Sequence, residues 1–144
     1  MKLLNEDLFT VESLRQDHAL LCGELAVLEK AKSTEGSDLW QTLQDVCVRL
    51  SLGLREHIRR EGQLLVTRNH SLGAAASEAM SRLLIDHYGD FRYLQVITRC
   101  VAIENRPFLL ESRYQLLTDF LRGLHRHMDQ QEAELFPGGD LATI

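Results

Sequence analysis

Proline is scarce in this chain: Pro107 and Pro137 are the only two. Glycine is sparse as well, and together these exclude the succession of short strands and turns that builds a sandwich or barrel. Cysteine is limited to Cys22, Cys47 and Cys100, an odd number, widely spaced and without a C-x-x-C. A disulfide scaffold and an iron–sulfur cluster are thereby excluded, and reduced thiols in a cytoplasmic protein are expected. There is no basic run, and the net charge of −5 makes nucleic acid or an anionic membrane an unexpected partner. No apolar run is long enough to span a membrane. The opening residues, MKLLNEDLF, turn acidic too soon for a signal peptide, so none is expected.

What is present is helix-forming sequence. The 144 residues, 44% of them hydrophobic, suffice for the core of one domain, expected over 1–144. Breaks are few. Ser33-Thr34-Glu35-Gly36-Ser37 reads as a loop, followed by Asp38 as a cap or first-turn residue. Asn69-His70-Ser71-Leu72-Gly73 is a second break. Asn105-Arg106-Pro107 is a third, with Pro107 suited to the first position of a helix. Pro137-Gly138-Gly139 closes the series. Four helices follow, over 10–32, 38–67, 74–104 and 107–135. Leu14, His18, Leu21, Leu25 and Leu28 step by fours and threes, as do Leu43, Cys47, Leu50, Leu54, His57, Glu61 and Leu64. Met80, Leu83, His87, Phe91, Leu94 and Val101 trace a third face. Leu117, Leu121, Leu124, Gln131 and Leu135 trace a fourth, with His127 at its edge. Short connections between long amphipathic helices imply antiparallel neighbours: an all-α, up-down-up-down four-helix bundle.

His18, His57, Glu61, His87 and Gln131 stand where this pattern calls for leucine. A neutral polar group buried without a partner costs about 2–7 kcal/mol, and a charge more. The cost can be met by a core hydrogen-bond network or by a metal. His57 lies 14 residues before position 71 and His87 16 after it, whereas His18 lies 16 before position 34 and His57 23 after it. At about 1.5 Å per residue the first pair is nearly level and the second is roughly 10 Å out of register. His57 and Glu61, at i and i+4, share a face. Imidazole plus carboxylate suits iron, manganese or zinc.

The pieces D-H-A-L-L at 17–21, H-I-R-R-E at 57–61, D-H-Y-G-D-F-R at 86–92 and H-M-D-Q-Q-E-A-E-L-F-P at 127–137 resemble, in order and over nearly the whole chain, a hemerythrin-like domain of the HHE type. The resemblance implies a non-haem di-iron centre inside the bundle, which the neutral Gln131 of this chain could reduce to one iron. It implies a histidine ligand from each helix and carboxylates from H-x-x-x-E pairs on the second and fourth. Carried over, the ligands are His18, His57, Glu61, His87 and His127. His125 and His127 are about 200° apart around a helix. The family's histidine lies ten residues before the proline, which selects His127 and leaves His125 on a solvated face, with His70 in a loop.

The sequence departs from that family at Gln131, a neutral amide where the second carboxylate is expected. Glu132 could replace it if a local π-type bulge rotates it inward. Cys22, one turn after His18, offers either a further negative charge or ordinary core packing. Asp90 is either an acceptor that orients His87 or an exposed acid. Phe91 stands where oxygen carriers of this family have a second histidine. The function implied is therefore binding of dioxygen, nitric oxide or peroxide in sensing, redox or iron handling, rather than reversible oxygen carriage. The alternatives are an iron-centre repair or peroxide-decomposing protein, and a helical interaction module without metal. No Glu-x-x-His pair supports a ferritin-like enzyme.

Overall fold

The computed structural model describes the backbone of residues 11–68, 73–103 and 106–135, and their side chains except at 11–15, 64, 67–68, 76, 103 and 131–135. Among the described residues there are four long helices and no strand: α1 (Val11–Ser33), α2 (Leu39–Arg68), α3 (Ala74–Ile103) and α4 (Leu110–Leu135). Each packs on its neighbours in sequence, α4 closes against α1, and α2 meets α4 across the diagonal. This is the expected up-down-up-down bundle.

The helix ends follow from local chemistry. Thr34 Oγ1 and Ser33 Oγ both donate to the Lys30 carbonyl, at 2.7 and 3.0 Å, satisfying an acceptor that the end of α1 leaves open. Lys30 and Lys32 in its last turn complement the helix dipole. Gly36 then takes φ 82°, a left-handed conformation that suits glycine. Asp38 is the cap of α2, its Oδ1 accepting from the Gln41 N–H at 3.0 Å. Pro107 does not open α4 directly. It begins a 3₁₀ turn, Pro107–Leu109, that leads into Leu110, and Arg106 before it is extended, as a residue preceding proline tends to be.

The main core fills the half of the bundle nearest the α1–α2 and α3–α4 turns. Leu28, Leu43, Val46, Leu50, Leu94, Ile97, Val101 and Leu117 are all fully buried there, each contributing about 1.5–3 kcal/mol through water exclusion. Leu50→Ala is expected to cost about 2–5 kcal/mol in denaturant melts. Leu52→Ala, on the exposed side of the same helix, should stay within about 0.5 kcal/mol. Arg49 clasps Glu24 through both carboxylate oxygens (Nε–Oε2 2.7 Å) and pins α2 to α1.

Beyond Leu54 and Leu94 the buried stripe changes character. His57, Glu61 and His87 replace leucine, and Met80 and Leu83 are buried again one to two turns earlier on α3. The polar layer thus has apolar residues on both sides along the bundle axis.

Candidate metal centre

The α2 helix delivers His57 and Glu61 one turn apart on its inner face, and α3 brings His87 opposite them. They are 4%, 1% and 1% exposed. Glu61 Oε1 accepts from His87 Nδ1 at 2.6 Å, and Glu61 Oε2 lies 3.4 Å from His57 Nε2. The imidazole centroids are 5.3 Å apart. One donor atom from each residue lies within 4.8 Å of the other two.

The fourth member of this network is Asp17. Its Oδ2 accepts from His57 Nδ1 at 3.0 Å, and its Oδ1 pairs with the Arg60 guanidinium. Arg60 in turn lies 3.7 Å from Glu56. With its Nδ1 proton held by Asp17, His57 presents Nε2 to the Glu61 side. A carboxylate behind an imidazole fixes the tautomer and raises the basicity of the nitrogen that meets a metal. The sequence reading did not single out Asp17. The available signal was its place beside His18 in the D-H piece, where it is 7% exposed.

The electrostatics describe a site poised between charged groups. Burial works against charging His57, but hydrogen bonds to Asp17 and Glu61, reinforced by both negative charges, outweigh it and push the imidazole up to about 9. Burial likewise opposes ionisation of Glu61. The bonds from His57 and His87 win there too and hold its carboxyl below the usual range. A cation placed between these residues would take over the compensating role of the proton on His57.

The other expected ligands are differently disposed. The His127 ring is 6.4 Å from that of His87, on the α3 side. Its Nδ1 lies 3.7 Å from Asp90 and its Nε2 3.8 Å from Asp86. Asp90 is half-buried; burial raises its carboxyl, against the lowering influence of His87 and His127. His18 is buried but turns its Nε2 to α4, where it meets His125 Nδ1 at 3.2 Å. His125 has half its side chain in solvent, as expected, yet is bound into this contact and one with Cys22. The side chains of Gln131 and Glu132, and the whole of His70, lie outside the described residues.

Two imidazoles and a carboxylate, all buried and with one imidazole backed by a second carboxylate, fit a hard-to-borderline transition metal. That is the donor chemistry of iron, manganese or zinc sites. The fold and this layer define a four-helix bundle of the kind that holds cations between inward-facing histidines and acids. The chain belongs to the hemerythrin HHE cation-binding domain family, whose profile matches residues 10–138. No curated protein and no solved structure matches it significantly. Among the described residues no helix is long and apolar enough to cross a membrane.

Asp17→Asn keeps the shape but removes the charge behind His57. It is expected to weaken metal binding by about 10–100-fold, read by competition with a chelator.

Proposed function

We propose that the protein binds non-haem iron between His57, Glu61 and His87, and uses it on dioxygen, nitric oxide or peroxide in sensing, redox or iron handling. The observation that carries this reading is Glu61, a carboxylate 1% exposed between two imidazoles. A bound cation explains why a chain keeps such a group where leucine would pack. Iron there would supply redox and Lewis-acid chemistry. His57, Glu61 and His87 would hold it, Asp17 would orient His57, and Met80 and Leu83 would limit water on one side. Three unpaired cysteines support a reducing, cytoplasmic setting.

His127 is the next donor in line, beside His87 and between two aspartates. Whether a second iron joins the first depends on the last turn of α4. The family resemblance expects a carboxylate at position 131, and the chain has Gln131. Wild type should therefore retain fewer than two tightly held irons per chain, and Gln131→Glu should raise the retained iron. The test is anaerobic loading with ferrous iron, desalting, elemental analysis, and absorption spectra before and after exposure to air, nitric oxide and peroxide. A spectrum indifferent to all three would remove the ligand assignment.

A further inference from the structure

The bundle leaves a set of apolar side chains uncovered on the outer surface of the α2–α3 pair. On α2, Val48, Leu52, Arg55, Arg59 and Val66 recur in steps of three, four and seven, so they share one face. On α3, Ile85, Tyr88, Arg92, Val96 and Arg99 do the same. The apolar residues of both stripes are 54–76% exposed. Residues two apart diverge by about 200° around a helix, which puts Arg55 on the opposite side of α2 from His57. No proposed ligand of the buried centre lies on either stripe.

Between the stripes runs a groove of about 650 Å³, lined by Leu52, Ile58, Tyr88 and Phe91 with Arg55 and Arg59 beside them. Ile58 is buried and Phe91 partly so, both packed on the core, and these two form its floor. The acid that lines it, Glu56, is already held by Arg59 and Arg60. Arg55, Arg59, Arg92 and Arg99 stand on the stripes and no acid does, although the chain holds 21 acidic residues against 16 basic. Arg55, Arg92 and Arg99 make no ion pair among the described residues.

We propose that this groove docks an acidic amphipathic helix of a partner protein, its apolar side chains on Leu52, Ile58, Tyr88 and Phe91 and its carboxylates on Arg55, Arg92 and Arg99.

Two antiparallel helices offer a third a groove to pack in, and a helix laid there anchors through positions i, i+3 or i+4, and i+7. Tyrosine and arginine are among the side chains that most often dominate such interfaces. Charge selects the occupant. A second copy docked about a two-fold axis would set this face against itself, arginine facing arginine. An anionic membrane is repelled by a chain of net charge −5, and a groove between helices gives it no apolar crest to insert. An acidic helix answers both the apolar floor and the unpaired guanidiniums.

The test pans the full-length protein against a displayed library of helical peptides. Enriched sequences should carry leucine or phenylalanine at i, i+3 or i+4, and i+7, flanked by aspartate and glutamate. A labelled peptide from that set, followed by fluorescence anisotropy, should bind wild type and weaken as salt rises. Arg55→Glu combined with Arg92→Glu should weaken it by about tenfold or more, and Leu52→Ala should weaken it at any salt concentration. These side chains are exposed, so thermal melts of the variants should overlay wild type. No enrichment, enrichment of neutral or basic sequences, or an affinity indifferent to both variants would overturn the proposal. Two results would assign the groove to another occupant and overturn it equally. One is self-association in sedimentation that Arg55→Glu abolishes. The other is binding to vesicles of phosphatidylcholine and phosphatidylglycerol that the arginine variants abolish.

Discussion

Glu61→Ala is expected to empty the buried centre. The carboxylate is the only anionic donor in the trio, and its removal leaves His57 and His87 facing a hole. Retained iron should fall to background after desalting, whereas wild type should keep it. The fold should suffer too, because His57 keeps Asp17 on one side and loses its partner on the other. Breaking a buried ion pair from one side costs about 3–5 kcal/mol, and denaturant melts of the metal-free variant against metal-free wild type should show a loss of that order. Glu61→Gln separates the two effects. It fills the space and offers an oxygen to His87, so it should fold better than the alanine variant while still failing to retain iron. Unchanged iron in either variant would remove Glu61 from the site.

Stripping the metal from wild type should have the second large effect. A ligand present at a thousand times its dissociation constant stabilises the folded state by about 4 kcal/mol. For a chain of this size that corresponds to a melting temperature higher by roughly 10 °C. The metal-free form should also acquire a pH dependence that the loaded form lacks. In it, His57 carries a proton held by Asp17 and Glu61, with its pKa raised to about 9 from an ordinary value near 6.5. A raised pKa means the contribution is complete below about pH 6.5 and is lost as pH climbs through about 9. The loss is on the order of 3 kcal/mol. In the loaded protein a metal held by His57 would take the place of that proton, and the decline over this window should disappear. Thermal melts at pH 6.5 and pH 9, with and without chelator, read both effects.

Much of this was legible in the sequence because it is written in local spacing. The three-and-four steps of leucine predict the helices, Asp38 predicts a cap, and the i, i+4 pair His57–Glu61 predicts a shared polar face. The level match of His57 with His87 across the α2–α3 connection is met by a contact through Glu61. What local spacing does not encode is how helices distant in sequence turn toward each other. The roughly 10 Å misfit expected of His18 against His57 is not met. Asp17, next to His18, bonds His57 at 3.0 Å, so the two helices are level there. The roughly 100° between neighbouring helical residues turns His18 to α4 instead. The family resemblance selects His127 as the ligand and leaves His125 on a solvated face. In the structure the two point to different neighbours, His127 to α3 and His125 to α1, and each finds partners there. Pro107 signalled a helix start correctly but not the 3₁₀ turn that precedes α4. Asp17 escaped because the stripe that places His18 inward places its neighbour off the stripe, and its buried carboxylate is tolerable there because His57 and Arg60 both bond it.

The most direct test of the central claim is a crystal structure of the iron-loaded protein with anomalous diffraction recorded at the iron edge. The account predicts an anomalous peak bonded to His57 Nε2, a Glu61 oxygen and His87, with Asp17 still hydrogen-bonded to His57 Nδ1. An iron-loaded crystal with no peak among those three residues would contradict it.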